Sequence, residues 1–328
     1  MKISTMKMLR HRTSLIAGAA VIALILAGCG LGGSSDGGGK SITAGSVDPA
    51  ALKGASLVVG SKDFDEQLLL GQLTIQMLRA AGATVSDKTN IQGSTATRNA
   101  LKSSKIDVYW DYNGTAWITY LGHDTPIQDP QQQFDAVKAE DLSKNGLVWG
   151  DQAPFNNTYA FATTNEFAEK NNLQTMSDMA KYVNSHADAT ICVESEFAGR
   201  PDGYSGVVKT YGMNVEGKTK RLGTGVIYTQ TDKGACDFGE VFTTDGRIAT
   251  LGLKVLEDDK KFFPLYNGAV VLREDTAKKY PAILKVLKPL SDILTTETMA
   301  KLNAKVSSDG LPPEQVAETF LKDKGFIK

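Results

Sequence analysis

From residue 56 to the C-terminus, short β-rich runs alternate with amphipathic segments, and this alternation restricts the chain to sheets flanked by helices. Ser56-Leu57-Val58-Val59-Gly60 reads as a strand. A helix over 64–81 follows, because Leu69, Leu73, Ile75 and Leu78 fall at helical spacing and Gly82 stops it. The spacing then predicts a strand ending at Ile91, a helix over 95–103, a strand over 106–110, a helix over 130–144 and a strand over 147–149. A second set begins near Thr158, with strands over 159–163, 189–194 and 236–242 and helices over 176–184, 206–211 and 226–232. After Phe262-Phe263-Pro264, a strand over 268–272 leads into helices from Asp275 onward. The span is about 270 residues, more than one core readily fills and natural for two α/β lobes. The expected organisation is a first lobe from 55–157 and 263–328, with a second lobe, 158–262, inserted into it. Ligands in such sheets bind at the carboxyl ends of strands, so the cleft between the lobes is the expected site.

Residues 1–28 read as an export signal. Lys2, Lys7, Arg10 and Arg12 form a basic start, and no acidic residue precedes Asp36. The uncharged run from Ser14 to Gly28 falls short of the ~20 apolar residues of a spanning helix. It ends Leu26-Ala27-Gly28-Cys29, which resembles the lipobox of bacterial lipoproteins. The resemblance implies cleavage before Cys29 and a diacylglycerol on its thiol; an ordinary secretory signal that meets a cysteine is the alternative. Residues 29–54 are expected to be the lipidated cysteine and a flexible tether, since Gly30 to Gly39 holds six glycines and two serines. The expected location is extracytoplasmic, anchored to the cell membrane by the N-terminal lipid.

Charge and motifs remove other classes. The chain carries net charge −1, and loss of the four basic leader residues leaves about −5. With no basic tract, nucleic acid is excluded as a partner. The three histidines, His11, His123 and His186, stand apart, and no His-x-x-x-His or Cys-x-x-Cys occurs, so no metal site is expected. Gly203-Tyr204-Ser205-Gly206 lacks the spacing of a nucleophile elbow. Gly223-Thr224-Gly225 opens like a dinucleotide loop but places Tyr228 where the third glycine belongs. The expectation is a binding protein, not an enzyme, with no cofactor. Besides Cys29, only Cys192 and Cys236 remain. In an exported protein these form either one disulfide or two buried free thiols, and the bridge is the favoured reading.

Four tyrosines sit where turns expose a ring. Tyr112 follows a strand in Trp110-Asp111-Tyr112-Asn113-Gly114-Thr115, and Tyr159 closes Phe155-Asn156-Asn157-Thr158-Tyr159. Tyr204 lies in Pro201-Asp202-Gly203-Tyr204, and Tyr228 in the first turn after Gly223-Thr224-Gly225. These segments, with Gly60-Ser61-Lys62-Asp63-Phe64-Asp65-Glu66-Gln67, Thr244-Asp245-Gly246-Arg247-Ile248 and Asp258-Asp259-Lys260-Lys261-Phe262-Phe263-Pro264, resemble the osmoprotectant-binding lipoproteins of ABC importers for glycine betaine, carnitine and choline. They run in order along nearly the whole body.

The resemblance implies a two-lobed, type II periplasmic-binding-protein-like α/β fold. It also implies a cage of Tyr112, Tyr159, Tyr204 and Tyr228 around a quaternary ammonium. Such a cation has no N–H to donate, so electron-rich ring faces must hold it, each contributing ~0.5–2 kcal/mol. Four rings then supply much of the ~8 kcal/mol of micromolar binding. Asp111 lies close enough in sequence to tune the field. For a ligand carboxylate the resemblance points to Lys62 and Gln67 in the first loop and to Ser94 and Thr95 at a helix start, with Thr95 preferred over Ser94. Arg98, one turn on, either assists there or, the favoured reading, faces solvent, and Arg247 is expected to bridge the lobes or serve the hinge. The implied partners are the small ligand, an ABC permease and the membrane through the lipid anchor, with the protein a monomer. The alternatives are a receptor of the same fold for an amino acid or polyol, and a surface lipoprotein without transport function.

Overall fold

The computed structural model describes Ile42–Lys328; Cys29 and the leader lie outside the described residues. Among these residues the strands in chain order are β1 Ser56–Lys62, β2 Thr84–Ile91, β3 Val108–Tyr112, β4 Leu147–Asn156, β5 Tyr159–Thr164, β6 Ile191–Val193, β7 Thr219–Arg221, β8 Phe238–Phe242, β9 Leu253–Leu256 and β10 Asn267–Arg273. They form two five-stranded sheets, ordered β2-β1-β3-β10-β4 and β7-β6-β8-β5-β9. Each sheet carries one reversed strand in its fourth place: β10 runs antiparallel to β3 and β4, and β5 antiparallel to β8 and β9. This is the bilobed type II arrangement. The reversed strands are those by which the chain enters each lobe from the other. Consequently their amino ends lie at the same edge as the carboxyl ends of the parallel strands, and Tyr159 faces Phe242 while Gly268 faces Tyr112.

Helix α1, Asp65–Ala80, is buried on more than one face: Leu69, Leu70, Leu73, Ile75, Met77 and Leu78 are all inaccessible. The expected single stripe underestimates this burial. The sheet covers α1 on one side, and the C-terminal helices, chiefly Pro313–Asp323, cover it on the other. Helix α2, Ser94–Lys102, starts at Gly93, whose φ of 84° suits a residue without Cβ. The edge strand β7 escaped the periodicity reading because Thr219-Lys220-Arg221 has no apolar alternation; its pairing with β6 defines it.

Two expectations are corrected. The segment before residue 55 is not all tether. Ala44 bridges to Ile327, Gly45 and Ser46 donate to the carbonyls of Phe326 and Gly325, and Leu52 is buried. Arg98 does not face solvent: it is buried, bonds the Asp141 carboxylate and stacks 4.4 Å from the Tyr120 ring centre.

The lobes meet on one buried carboxylate. Glu66, in the first turn of α1, accepts at Oε1 from Tyr112 Oη (2.7 Å) and Asn157 Nδ2 (2.8 Å). At Oε2 it accepts from Thr244 Oγ1 (2.6 Å) and Asn303 Nδ2 (2.8 Å). Burial pushes its pKa up, while the bonds from Thr244, Tyr112, Asn303 and Asn157 pull it down, leaving it raised. In the second lobe, Cys192 and Cys236 are joined by a disulfide, their Cα atoms 5.8 Å apart.

Two outcomes follow. Glu66→Gln places an amide N–H₂ against groups that already donate, and is expected to cost about 1–3 kcal/mol in denaturant unfolding; an unchanged midpoint excludes the pinning role. The Cys192→Ser/Cys236→Ser variant is expected to lose about 2–4 kcal/mol, and mass spectrometry of unreduced wild type is expected to find no alkylatable thiol at these positions.

Candidate ligand-binding cleft

The shared strand edge builds a cleft between the lobes. Lys62 ends β1, Tyr112 ends β3, Phe242 ends β8, Glu194 follows β6, and Tyr159 and Tyr266 stand at the amino ends of the reversed strands. Together they border a cavity of about 320 Å³, within the range of small-molecule sites.

One wall is aromatic: Phe64, Tyr112, Tyr159, Phe242 and Tyr266. Phe64 of the first lobe stacks on Phe242 of the second at 5.2 Å, with ring planes 9° apart. Tyr159 leans on Phe242 at 5.0 Å and meets Tyr266 edge-on at 5.4 Å. Of the four expected cage tyrosines, the structure brings Tyr112 and Tyr159 to the cleft. Tyr204 and Tyr228 do not line it. Tyr204 opens the helix Tyr204–Tyr211, its hydroxyl bonds Thr219 Oγ1 at 2.8 Å and its ring packs on Phe161 and Phe197. Tyr228, inaccessible to solvent, lies one turn beyond Thr224 and turns toward β8. Its hydroxyl accepts from Phe242 N–H at 2.8 Å, and the Arg247 guanidinium covers its ring at 4.6 Å. It thus backs Phe242. Phe64, Phe242 and Tyr266 line the cleft as well, and their signal in the sequence is an aromatic beside a strand end: Phe242 closes β8, Tyr266 precedes β10 and Phe64 caps α1 just after β1.

The polar side is dense in ion pairs. Lys62 Nζ bonds Asp111 Oδ1 at 2.8 Å, both buried, and sits 4.9 Å from the Tyr112 ring centre. Ser94 lines the cleft, and its N–H donates to Glu196 Oε2 of the opposite lobe at 3.0 Å. Gly93 N–H donates to Asp63 Oδ1 at 3.2 Å. Thr95 is exposed and borders only an outer groove, while Gln67 is buried beneath the cleft with its Oε1 accepting from Lys62 N–H at 3.2 Å. Arg200, unassigned by the sequence reading, is buried. It is forked by Asp202 (Nε–Oδ1 2.8 Å, Nη2–Oδ2 2.5 Å) and reaches Glu196 Oε1 (3.2 Å) and Thr115 Oγ1 of the first lobe (3.3 Å). Tyr266 Oη donates to the same Asp202 at 2.7 Å. Arg247 bridges the lobes, with Nη2 bonding Asp65 Oδ2 at 3.0 Å. Among the described residues no cluster of His, Cys, Asp and Glu is arranged to hold a metal ion.

With this geometry in view, residues 55–323 match the model of a family described as the substrate binding domain of the ABC-type glycine betaine transport system. The glycine-betaine-binding protein of Pseudomonas aeruginosa is 34% identical over 83% of this chain and 89% of its own length. The glycine betaine-binding protein YehZ of Escherichia coli is 32% identical over 84% of this chain and 93% of its own. The crystal structure of a glycine betaine/carnitine/choline ABC transporter protein superposes with a TM-score of 0.68 at 29% identity, covering 83% of this chain and 98% of the other.

Behind the cleft lies one further ionisable group. Glu240 is buried in β8, its Oε2 accepting from Glu194 N–H at 2.8 Å and its Oε1 without a partner among the described residues. Burial is the main cause that pushes its pKa up to about 8, helped by the charges of Glu194 and Glu196 and opposed by the Glu194 N–H bond and Arg200. The native state therefore holds a proton that the unfolded chain releases in the ordinary carboxyl range. The stability this proton contributes is full below that range and is lost as pH rises to about 8. Glu240→Gln is permanently neutral, so its thermal stability relative to wild type is expected to grow up to pH about 8 and then level off. A difference independent of pH would rule this out.

Proposed function

Because the chain belongs to the family of substrate-binding proteins of ABC-type glycine betaine transport systems, we propose that it captures a quaternary-ammonium osmoprotectant, glycine betaine, choline or carnitine, between its lobes and delivers it to a membrane permease. It is an extracytoplasmic binding protein and not an enzyme. The observation that carries the ligand class is the aromatic wall. Five rings drawn from both lobes border a cavity of about 320 Å³. A trimethylammonium group has no N–H, so ring faces and apolar edges are what can hold it, at ~0.5–2 kcal/mol per ring.

The rings that line the cleft, Phe64, Tyr112, Tyr159, Phe242 and Tyr266, are proposed as the cation-binding group, with Tyr228 and Tyr204 supporting them from behind. Since the walls come from both lobes, ligand binding and lobe closure form one equilibrium: the ligand favours the closed state by the contacts that only closure completes. The Leu26-Ala27-Gly28-Cys29 segment supports a lipid on Cys29 that keeps the monomer beside its permease.

The test is calorimetric titration with glycine betaine, choline and carnitine. At least one is expected to bind saturably with a thermal shift, and Tyr159→Ala or Phe64→Ala is expected to weaken it by about 1–2 kcal/mol. No heat and no stabilisation across the panel would overturn the assignment.

A further inference from the structure

We infer that the cleft selects a compact organic cation that carries no carboxylate, an amino alcohol of the choline kind over a betaine, and that Glu196 sets this preference. The inference rests on the quaternary-ammonium reading above and narrows it.

A zwitterion needs a place for its negative end. The hydroxyls of Ser195 and Thr224 also line the cleft, but the receivers on its ion-paired side are three: the amino end of α2, Lys62 and Arg200. Each already faces a carboxylate of the protein. Glu196 Oε2 takes the Ser94 N–H at 3.0 Å, Asp111 takes Lys62 Nζ at 2.8 Å, and Asp202 forks Arg200 at 2.8 and 2.5 Å. The Glu196 contact is made across the cleft, from the second lobe to the first, so closure itself fills the site where a ligand carboxylate would otherwise sit on the helix terminus. Glu196 is ionised when it does so. Burial raises its pKa, but Lys62, Ser94 and Arg200 together bring it below the ordinary value.

The sum of charges points the same way. Glu194 and Glu196 stand in the wall, and Asp111 and Asp202 sit on its two cations, so four carboxylates face Lys62 and Arg200, while Asp63, which also borders the cleft, is exposed and screened by water. Glu194 is held by the backbone N–H groups of Glu196 and Phe197, and among the described residues no cationic side chain pairs with it. In an enclosed site, where charges act more strongly than in water, a permanent cation supplies what this surplus lacks. A zwitterion adds a further negative end, which must lie beside like charges or displace Glu196 from α2. An alcohol meets neither cost, since its hydroxyl donates to a carboxylate.

The experiment is side-by-side titration of the mature chain, and of its Glu196→Gln and Glu196→Ala variants, with choline and glycine betaine at low salt. Wild type is expected to bind choline about tenfold more tightly or better, and Glu196→Gln to narrow that ratio by about threefold or more, through weaker choline and stronger betaine binding. If wild type binds glycine betaine as tightly as choline, the inference falls while the quaternary-ammonium assignment stands. A ratio unchanged in folded variants removes Glu196 as its cause. Binding of neither ligand overturns both readings. Should a variant fail to fold, the wild-type ratio still decides the selectivity.

Discussion

Much of the structure depends on the carboxylate of Glu66. Four donors from four separate segments converge on it: Tyr112 at the end of β3, Asn157 in the crossover, Thr244 after β8 and Asn303 in a C-terminal helix. A carboxylate that loses its water must recover the lost bonds, and here it does so with parts of the chain that belong to both lobes. Its place in the first turn of α1 adds the favourable end of the helix dipole. The same bond that satisfies Glu66 ties down the hydroxyl of Tyr112, a residue that lines the cleft. The demand of one buried charge thus fixes the crossover, the approach of the lobes and one wall of the site.

The second organising element is the strand edge. In both sheets four strands run one way and the fourth in order is reversed. The reversed strands carry Tyr159 and Tyr266 at or beside their amino ends, so these rings join Tyr112 and Phe242, which close strands of the opposite sense. A sheet without the reversal would send those rings to the far edge. The aromatic wall of the cleft is therefore a product of topology as much as of residue type. Across it, Phe64 meets Phe242 and Glu196 meets α2, so apolar and polar contacts alike span the lobes.

The polar side shows how ion pairing alters what a cationic side chain can do. Lys62 and Arg200 mark, by type, an anion site. Each is compensated by a buried aspartate, and Arg200 also meets Glu196, so their remaining capacity for a ligand anion is small. The aromatic wall and the carboxylate surplus then favour the same sign of charge. The proposed ligand class rests on family membership, and the proposed selectivity within it rests on the pairing of these side chains.

What the residues alone determined is what local physics governs. Alternating apolar periods marked β1, α1, β5 and β10, and the two crossings near Asn157 and Phe263 followed from where the pattern restarts. The motif order identified the family; turn chemistry beside a strand end singled out Tyr112 and Tyr159, while the resemblance pointed to Lys62 and to Thr95 ahead of Ser94, and of these Thr95 does not border the cleft. Pairing over long separations lay beyond that reach. Arg98 reads as solvent-facing from its local sequence, whereas Asp141, 43 residues on, is folded against it. Tyr228 looked like a cage member, but the helix Thr224–Asp232 carries it one turn past the cleft and onto β8. Phe64, Phe242, Tyr266, Arg200 and Glu196 gained their roles only when two lobes distant in sequence closed on one another. A side chain's type is written locally, whereas its partner and direction are set by which segments the sheets and Glu66 bring together.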